Sequence, residues 1–175
     1  MILGANRSEG LINAVVFAAL HEAAHLFALL CFKEKPREIN VGVFGMEIRR
    51  AGNVGLSYRR EILVSLAGPA LNTVLAAAFI LLGRERDIIA VNLSMAALNF
   101  LPVTPLDGGR ALYFWLCGRM AEEKARKITE GAGIITLFPL SFLGFTVLIR
   151  SGYNFTLLAV CVYLILLLIF GQSIL

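Results

Sequence analysis

Apolar residues fall along this chain in long runs separated by short charged stretches. The first run, residues 11–32, is about long enough as a helix to cross a bilayer. Lys33, Glu34, Lys35, Pro36, Arg37 and Glu38 end it with charge. Further spans are expected over residues 62–82, 132–149 and 155–170. The apolar run 88–101 would rise only about 21 Å as helix, too short to cross comfortably. Pro102 and Pro105 follow it, and a proline costs about 3 kcal/mol inside a helix, so the helix must break there before resuming over residues 111–117. The pattern predicts an all-α membrane protein with about five transmembrane helices.

Two stretches depart from it. Between residues 39 and 58, Ile39, Val41 and Val43 alternate with Asn40, Gly42 and Phe44, which is strand periodicity. Ala51-Gly52-Asn53 has the composition of a turn. A β-hairpin of residues 41–50 and 53–58 is expected, with an ordinary solvated loop as the alternative. Residues 120–131 carry Glu122, Glu123, Lys124, Arg126, Lys127 and Glu130 and read as a surface helix.

Composition agrees with a membrane protein. The chain is 58% hydrophobic, with mean hydropathy +0.79, far above a soluble domain. The net charge is +4, but the basic residues gather in loops, a topology signal and not a nucleic-acid patch. Lys33, Lys35, Arg37, Arg49, Arg50, Arg59, Arg60, Arg119, Lys124, Arg126 and Lys127 fall on one side; Arg7, Arg84, Arg86 and Arg150 fall on the other. The richer side is expected in the cytoplasm, with the N-terminus outside and the C-terminus and hairpin inside. Cys31, Cys117 and Cys161 lie in or beside apolar runs and outline neither a disulfide framework nor a CxxC site. The first run is read as mature sequence and not a signal peptide, because its only preceding basic residue is Arg7 and it carries the chain's strongest motif.

That motif is His21-Glu22-Ala23-Ala24-His25. Positions four apart share a helix face, so His21 and His25 can hold one metal ion, and Glu22 stands where it could take a proton from water. Ionisable groups are costly in a hydrophobic span, and a bound dication would offset that cost. A catalytic zinc needs three protein ligands and one open position. His21 and His25 are the only histidines. Asp107, just after the broken third helix, is the outstanding third candidate, since irregular backbone at membrane depth must line protein or a wet cavity. An N-cap role for Asp107 is the alternative. Asn99 and Asn72 are candidates to orient substrate or stabilise an oxyanion. Gly68-Pro69-Ala70-Leu71-Asn72 also reads as a helix-packing motif, with Gly68 permitting close approach and Asn72 as interhelical glue.

These three motifs, in this order, resemble the site-2 protease family of intramembrane zinc metalloproteases. His21 to His25 match its HExxH, Gly68 to Asn72 its GPxxN, and Asn99 to Gly108 its NxxPxxPxDG. The resemblance covers residues 11–117. It implies one protease domain over residues 1–175, with a catalytic core at about 11–117 and accessory spans at about 132–170. It implies zinc held by His21, His25 and Asp107, with Glu22 as catalytic base and Asn99 near the site. It implies that residues 39–58 form a re-entrant β element. The expected reaction is hydrolysis of a peptide bond in a membrane-embedded or membrane-associated substrate, such as a sigma-factor precursor or an anti-sigma factor. Membrane lipids and a regulatory membrane partner are the other expected partners. The chain is most similar to the compact sporulation type, although it has no counterpart of that type's span before HExxH or of its CBS domain, and Ala24 replaces the usual glycine. The connection 83–87 is too short to hold the PDZ domains of the envelope-stress type. Rival readings are a proteolytically inactive scaffold that binds partner helices, disfavoured by the intact Glu22, and a metal transporter, which would need a continuous polar path.

Overall fold

The structure, a computed structural model, describes residues 2–33, 36–42, 45–50 and 56–170. The elements are α1 (Ile2–Cys31), β1 (Pro36–Gly42), β2 (Gly45–Arg50), α2 (Tyr58–Leu81), α3 (Arg86–Asn99), α4 (Asp107–Cys117), α5 (Glu122–Ser151) and α6 (Thr156–Phe170). They divide into two compact units, Met1–Phe100 and Leu101–Leu175.

In the first unit α1 buries a row spaced by four residues: Phe17, His21, His25 and Leu29. Four residues advance a helix by slightly more than one turn, so such a row forms one ridge. Helix α2 answers with Val64, Gly68, Asn72 and Ala76 at the same spacing. Pairings run in opposite directions along the two helices, which are therefore antiparallel. Phe17 meets the Phe79 ring edge-on with centroids 5.7 Å apart. Farther along, His21 meets Asn72, and His25 meets the Val64 carbonyl. At the end Arg60 lies over the Phe32 ring. Leu29, Leu56 and Val64 close this end, with Ala28 and Phe32 packed on them. Helix α3 lies on the same pair and buries Asn92 and Ala96. The opposite surface of α1, with Leu11, Ile12, Val15, Val16, Phe27 and Leu30, is exposed. So large an apolar surface marks contact with lipid.

In the second unit the segment between Leu101 and Leu106 is pinned by Val103, which is wholly buried with Leu137 of α5 and Leu164 of α6. The amide of Leu106 donates to the Val103 carbonyl at 2.8 Å, and Arg110 donates to the Leu106 carbonyl at 3.0 Å as α4 begins. A Cβ on Gly109 would lie 2.5 Å from the Thr104 nitrogen and would also strike the Val103 carbonyl carbon. Only glycine lets this first turn fold back against the segment. Leu116, Cys117 and Ala125 form a second cluster under the turn into α5.

Three sequence expectations need correction. About five transmembrane helices were expected, but among the described residues only three are long and apolar enough to cross: Gly10–Cys31, Tyr58–Leu81 and Glu122–Ser151. Helices α3 and α6, with 14 and 15 residues, would rise only about 21–22 Å, short of the roughly 30 Å hydrocarbon core. The surface helix at 120–131 and the span at 132–149 are one continuous helix of 30 residues. Gly131 and Gly133 do not interrupt it, and its first turns are tied by Arg126 to Glu123 and Glu130. The hairpin of residues 41–50 and 53–58 does not form. The observed antiparallel pairing sets Gly42 against Gly45, Val41 against Met46, Ile39 against Ile48 and Glu38 against Arg49. The expected first strand therefore runs across the real turn. Of the expected second strand, residues 53–55 lie outside the described residues, Leu56 and Ser57 are not in a strand, and Tyr58 begins α2. The pairing closes between Gly42 and Gly45, in keeping with the preference of hairpins for short loops, and Ala51-Gly52-Asn53 lies outside the described residues.

Candidate metal centre

Helix α1 carries His21 and His25 on its buried ridge, and the docking of α2 fixes both rings. The Val64 carbonyl has no proton to give, so Nδ1–H of His25 donates to it, at 2.7 Å. Nδ1–H of His21 donates to Oδ1 of Asn72, at 2.8 Å. In a neutral imidazole a proton on Nδ1 leaves a lone pair on Nε2. Both Nε2 atoms turn inward and stand 3.2 Å apart. Two nitrogen ligands at about 2.0–2.1 Å in tetrahedral geometry would be about 3.3 Å apart. The pair thus has the tautomers and the spacing that zinc requires.

Gly68 makes the pair possible. A Cβ there would lie 2.5 Å from His21 Nε2 and would also overlap His25 Nε2. Any side chain at this position would occupy the space the two lone pairs face. The sequence reading of Gly68 as a close-approach residue is met, and the object approached is the histidine pair.

Behind His21 the hydrogen bonding continues. Nδ2–H of Asn72 donates to Oδ1 of Asn92 at 3.1 Å, with Met95 Sδ at 3.7 Å as a weaker acceptor. Nδ2–H of Asn92 donates to the Ile88 carbonyl at 3.0 Å. Asn72 and Asn92 are both fully buried. A ligating histidine held through its other ring nitrogen is the usual arrangement around a metal. Asn92 escaped the sequence reading because it belongs to no motif. Its one signal was a carboxamide in the middle of an apolar run, which needs a partner.

Glu22 follows His21 and is half-buried, with no hydrogen bond or ion pair among the described residues. Asn99 ends α3, and its Nδ2–H donates to the Met95 carbonyl in its own helix, at 3.1 Å. Asp107 is buried at the first position of α4. The cap position belongs to Leu106, and no side-chain hydrogen bond caps this helix. The alternative of Asp107 as an N-cap is therefore not what the helix uses.

No family model matches the chain. Over 130 residues it is 26% identical to Stage IV sporulation protein FB of Bacillus subtilis (strain 168). The match takes in 69% of this chain and 44% of the relative, so the chain spans less than half of that protein's length. The fold is similar to that of a solved structure, the Site-2 Protease from Methanocaldococcus jannaschii, with TM-score 0.57 and 19% identity over 87% of this chain and 72% of the other. The chain is thus similar in sequence to part of the sporulation protein and similar in fold to the solved protease.

Proposed function

We propose that the chain is an intramembrane zinc metalloprotease that hydrolyses a peptide bond in a membrane-embedded or membrane-associated substrate. The observation that carries the reading is the histidine pair: two Nε2 atoms 3.2 Å apart over a residue with no side chain, each ring held by its Nδ1. In this reading His21, His25 and Asp107 hold the ion. The buried place of Asp107 at the head of a helix anchored by Val103 and Gly109 supports its part. Bound zinc would supply a Lewis acid to polarise the scissile carbonyl and acidify water. Glu22 takes a proton from the attacking water and returns it to the leaving amine, a role worth about 10²–10⁴ in rate. Its lack of a competing ion pair among the described residues leaves it able to do so. Asn99, fixed by its own helix, stands as a candidate contact for substrate. Sigma-factor precursors and anti-sigma factors are the substrate classes to try first, since the motifs resemble those of the sporulation type of the site-2 protease family. The turn around Lys33 and the start of α2 at Arg59 and Arg60 face the cytoplasm, and the α2–α3 turn faces outside.

The test begins with metal content. Detergent-purified protein is expected to hold about one zinc per chain, and Asp107→Ala to lose it or bind it far more weakly. Glu22→Gln is expected to keep zinc and lose cleavage of a co-expressed membrane reporter. Cleavage by Glu22→Gln, or a folded wild type without zinc, would overturn the reading.

A further inference from the structure

We infer that Asn92 is a positioning residue that sets the proton position on His21, acting through Asn72. This rests on the reading of His21 as a zinc ligand, but the proton position belongs to the metal-free protein as well.

A carboxamide by itself does not decide a tautomer. Asn72 presents an acceptor oxygen to His21 in one orientation and a donor NH₂ in the other. The flipped orientation would need a bare Nδ1 on His21, placing the proton on Nε2, where a metal ligand must have its lone pair. The choice is made two residues away. The Ile88 carbonyl can only accept, so Asn92 must turn its Nδ2 toward it, as observed at 3.0 Å. That leaves Oδ1 of Asn92 facing Asn72, which must answer with Nδ2, at 3.1 Å. The Oδ1 of Asn72 is then the atom that meets His21, at 2.8 Å. The links from His21 to Asn72 and from Asn72 to Asn92 are buried, so no bulk water can substitute there for a wrong orientation, and the link to the Ile88 carbonyl, partly buried, starts from a fully buried Asn92. His25 needs no such chain, because its Nδ1 meets a backbone carbonyl directly.

The two histidines make the test simple to read. Full-length protein labelled with ¹⁵N-histidine, free of metal and in detergent at a pH where the rings are neutral, reports each tautomer by long-range ¹H–¹⁵N correlations. Wild type is expected to show Nδ1–H at both rings. Asn92→Leu removes the acceptor for Asn72 and is expected to give a mixed tautomer at His21 with His25 unchanged. Its zinc affinity, measured by chelator competition, is expected to fall about tenfold or more. Asn92→Asp in its protonated form donates to the Ile88 carbonyl and accepts from Asn72, so it is expected to restore both the tautomer and the affinity. Nε2–H at His21 in wild type overturns the inference without any variant. So does an unchanged His21 in folded Asn92→Leu, or equal loss of affinity in both variants. Nδ1–H at both rings in a wild type that binds no zinc would support the inference and sink the zinc reading alone.

Discussion

At the scale of single residues, the site turns on what is absent at position 68. Gly68→Ala places a methyl where both Nε2 atoms now stand. Overpacking of this kind costs about 1–3 kcal/mol when neighbours can yield, and here the yielding groups are the proposed ligands. The expected outcome is a folded, membrane-inserted protein with zinc affinity reduced at least tenfold, checked by metal analysis beside circular dichroism. Unchanged affinity would show that the pair can open without loss. His21 and His25 were legible in the sequence because one helical turn relates them, and Glu22 because it sits inside the same motif. Asn72 was visible as a buried polar residue, yet its partner was not. Which group a carboxamide faces depends on how α2 docks on α1, and no spacing within one helix encodes that. Asn92 was missed for the same reason, one helix farther away.

Among the elements, the break after α3 could be read from Pro102 and Pro105, and the helices do stop at Asn99 and resume at Asp107. What the sequence did not reveal is how firmly the intervening segment is held. Val103 is buried between α5 and α6, and Gly109 lets α4 fold back on Val103 and Thr104. Gly109→Ala is therefore expected to shift the head of α4 and with it Asp107. Zinc content should fall toward that of Asp107→Ala while helix content stays near wild type; full zinc occupancy in this variant would mean that the segment adapts. The expected hairpin failed at this scale as well. A turn-like tripeptide is a local cue, and the pairing of Gly42 with Gly45 shifted the whole register. The run of α6 reads as a span on apolarity while its length sets the limit, and the run of α3 already reads as too short to cross.

For the whole molecule, charge in the loops gives a prediction independent of the metal. Cysteines introduced at Arg59 and at Gly83 should differ in labelling by a membrane-impermeant maleimide on intact cells. Labelling at Gly83 with protection at Arg59 is expected; the reverse pattern would invert the orientation. The class of molecule was the most legible feature of all, since long apolar runs need no tertiary information to be recognised. The number of spans was less so, because helix ends depend on what each end packs against.

The hydrogen bond from His21 to Asn72 joins residues 51 positions apart. A ribosome adding about 5–20 residues per second delivers Asn72 roughly 3–10 s after His21. During that interval the first helix has neither the acceptor that orients His21 nor the bare backbone that makes room for its lone pair. On the zinc reading, metal capture would therefore be an event of late biogenesis, awaiting the synthesis and docking of the second helix. A nascent chain arrested before residue 72 would carry the complete HExxH and still lack a zinc site.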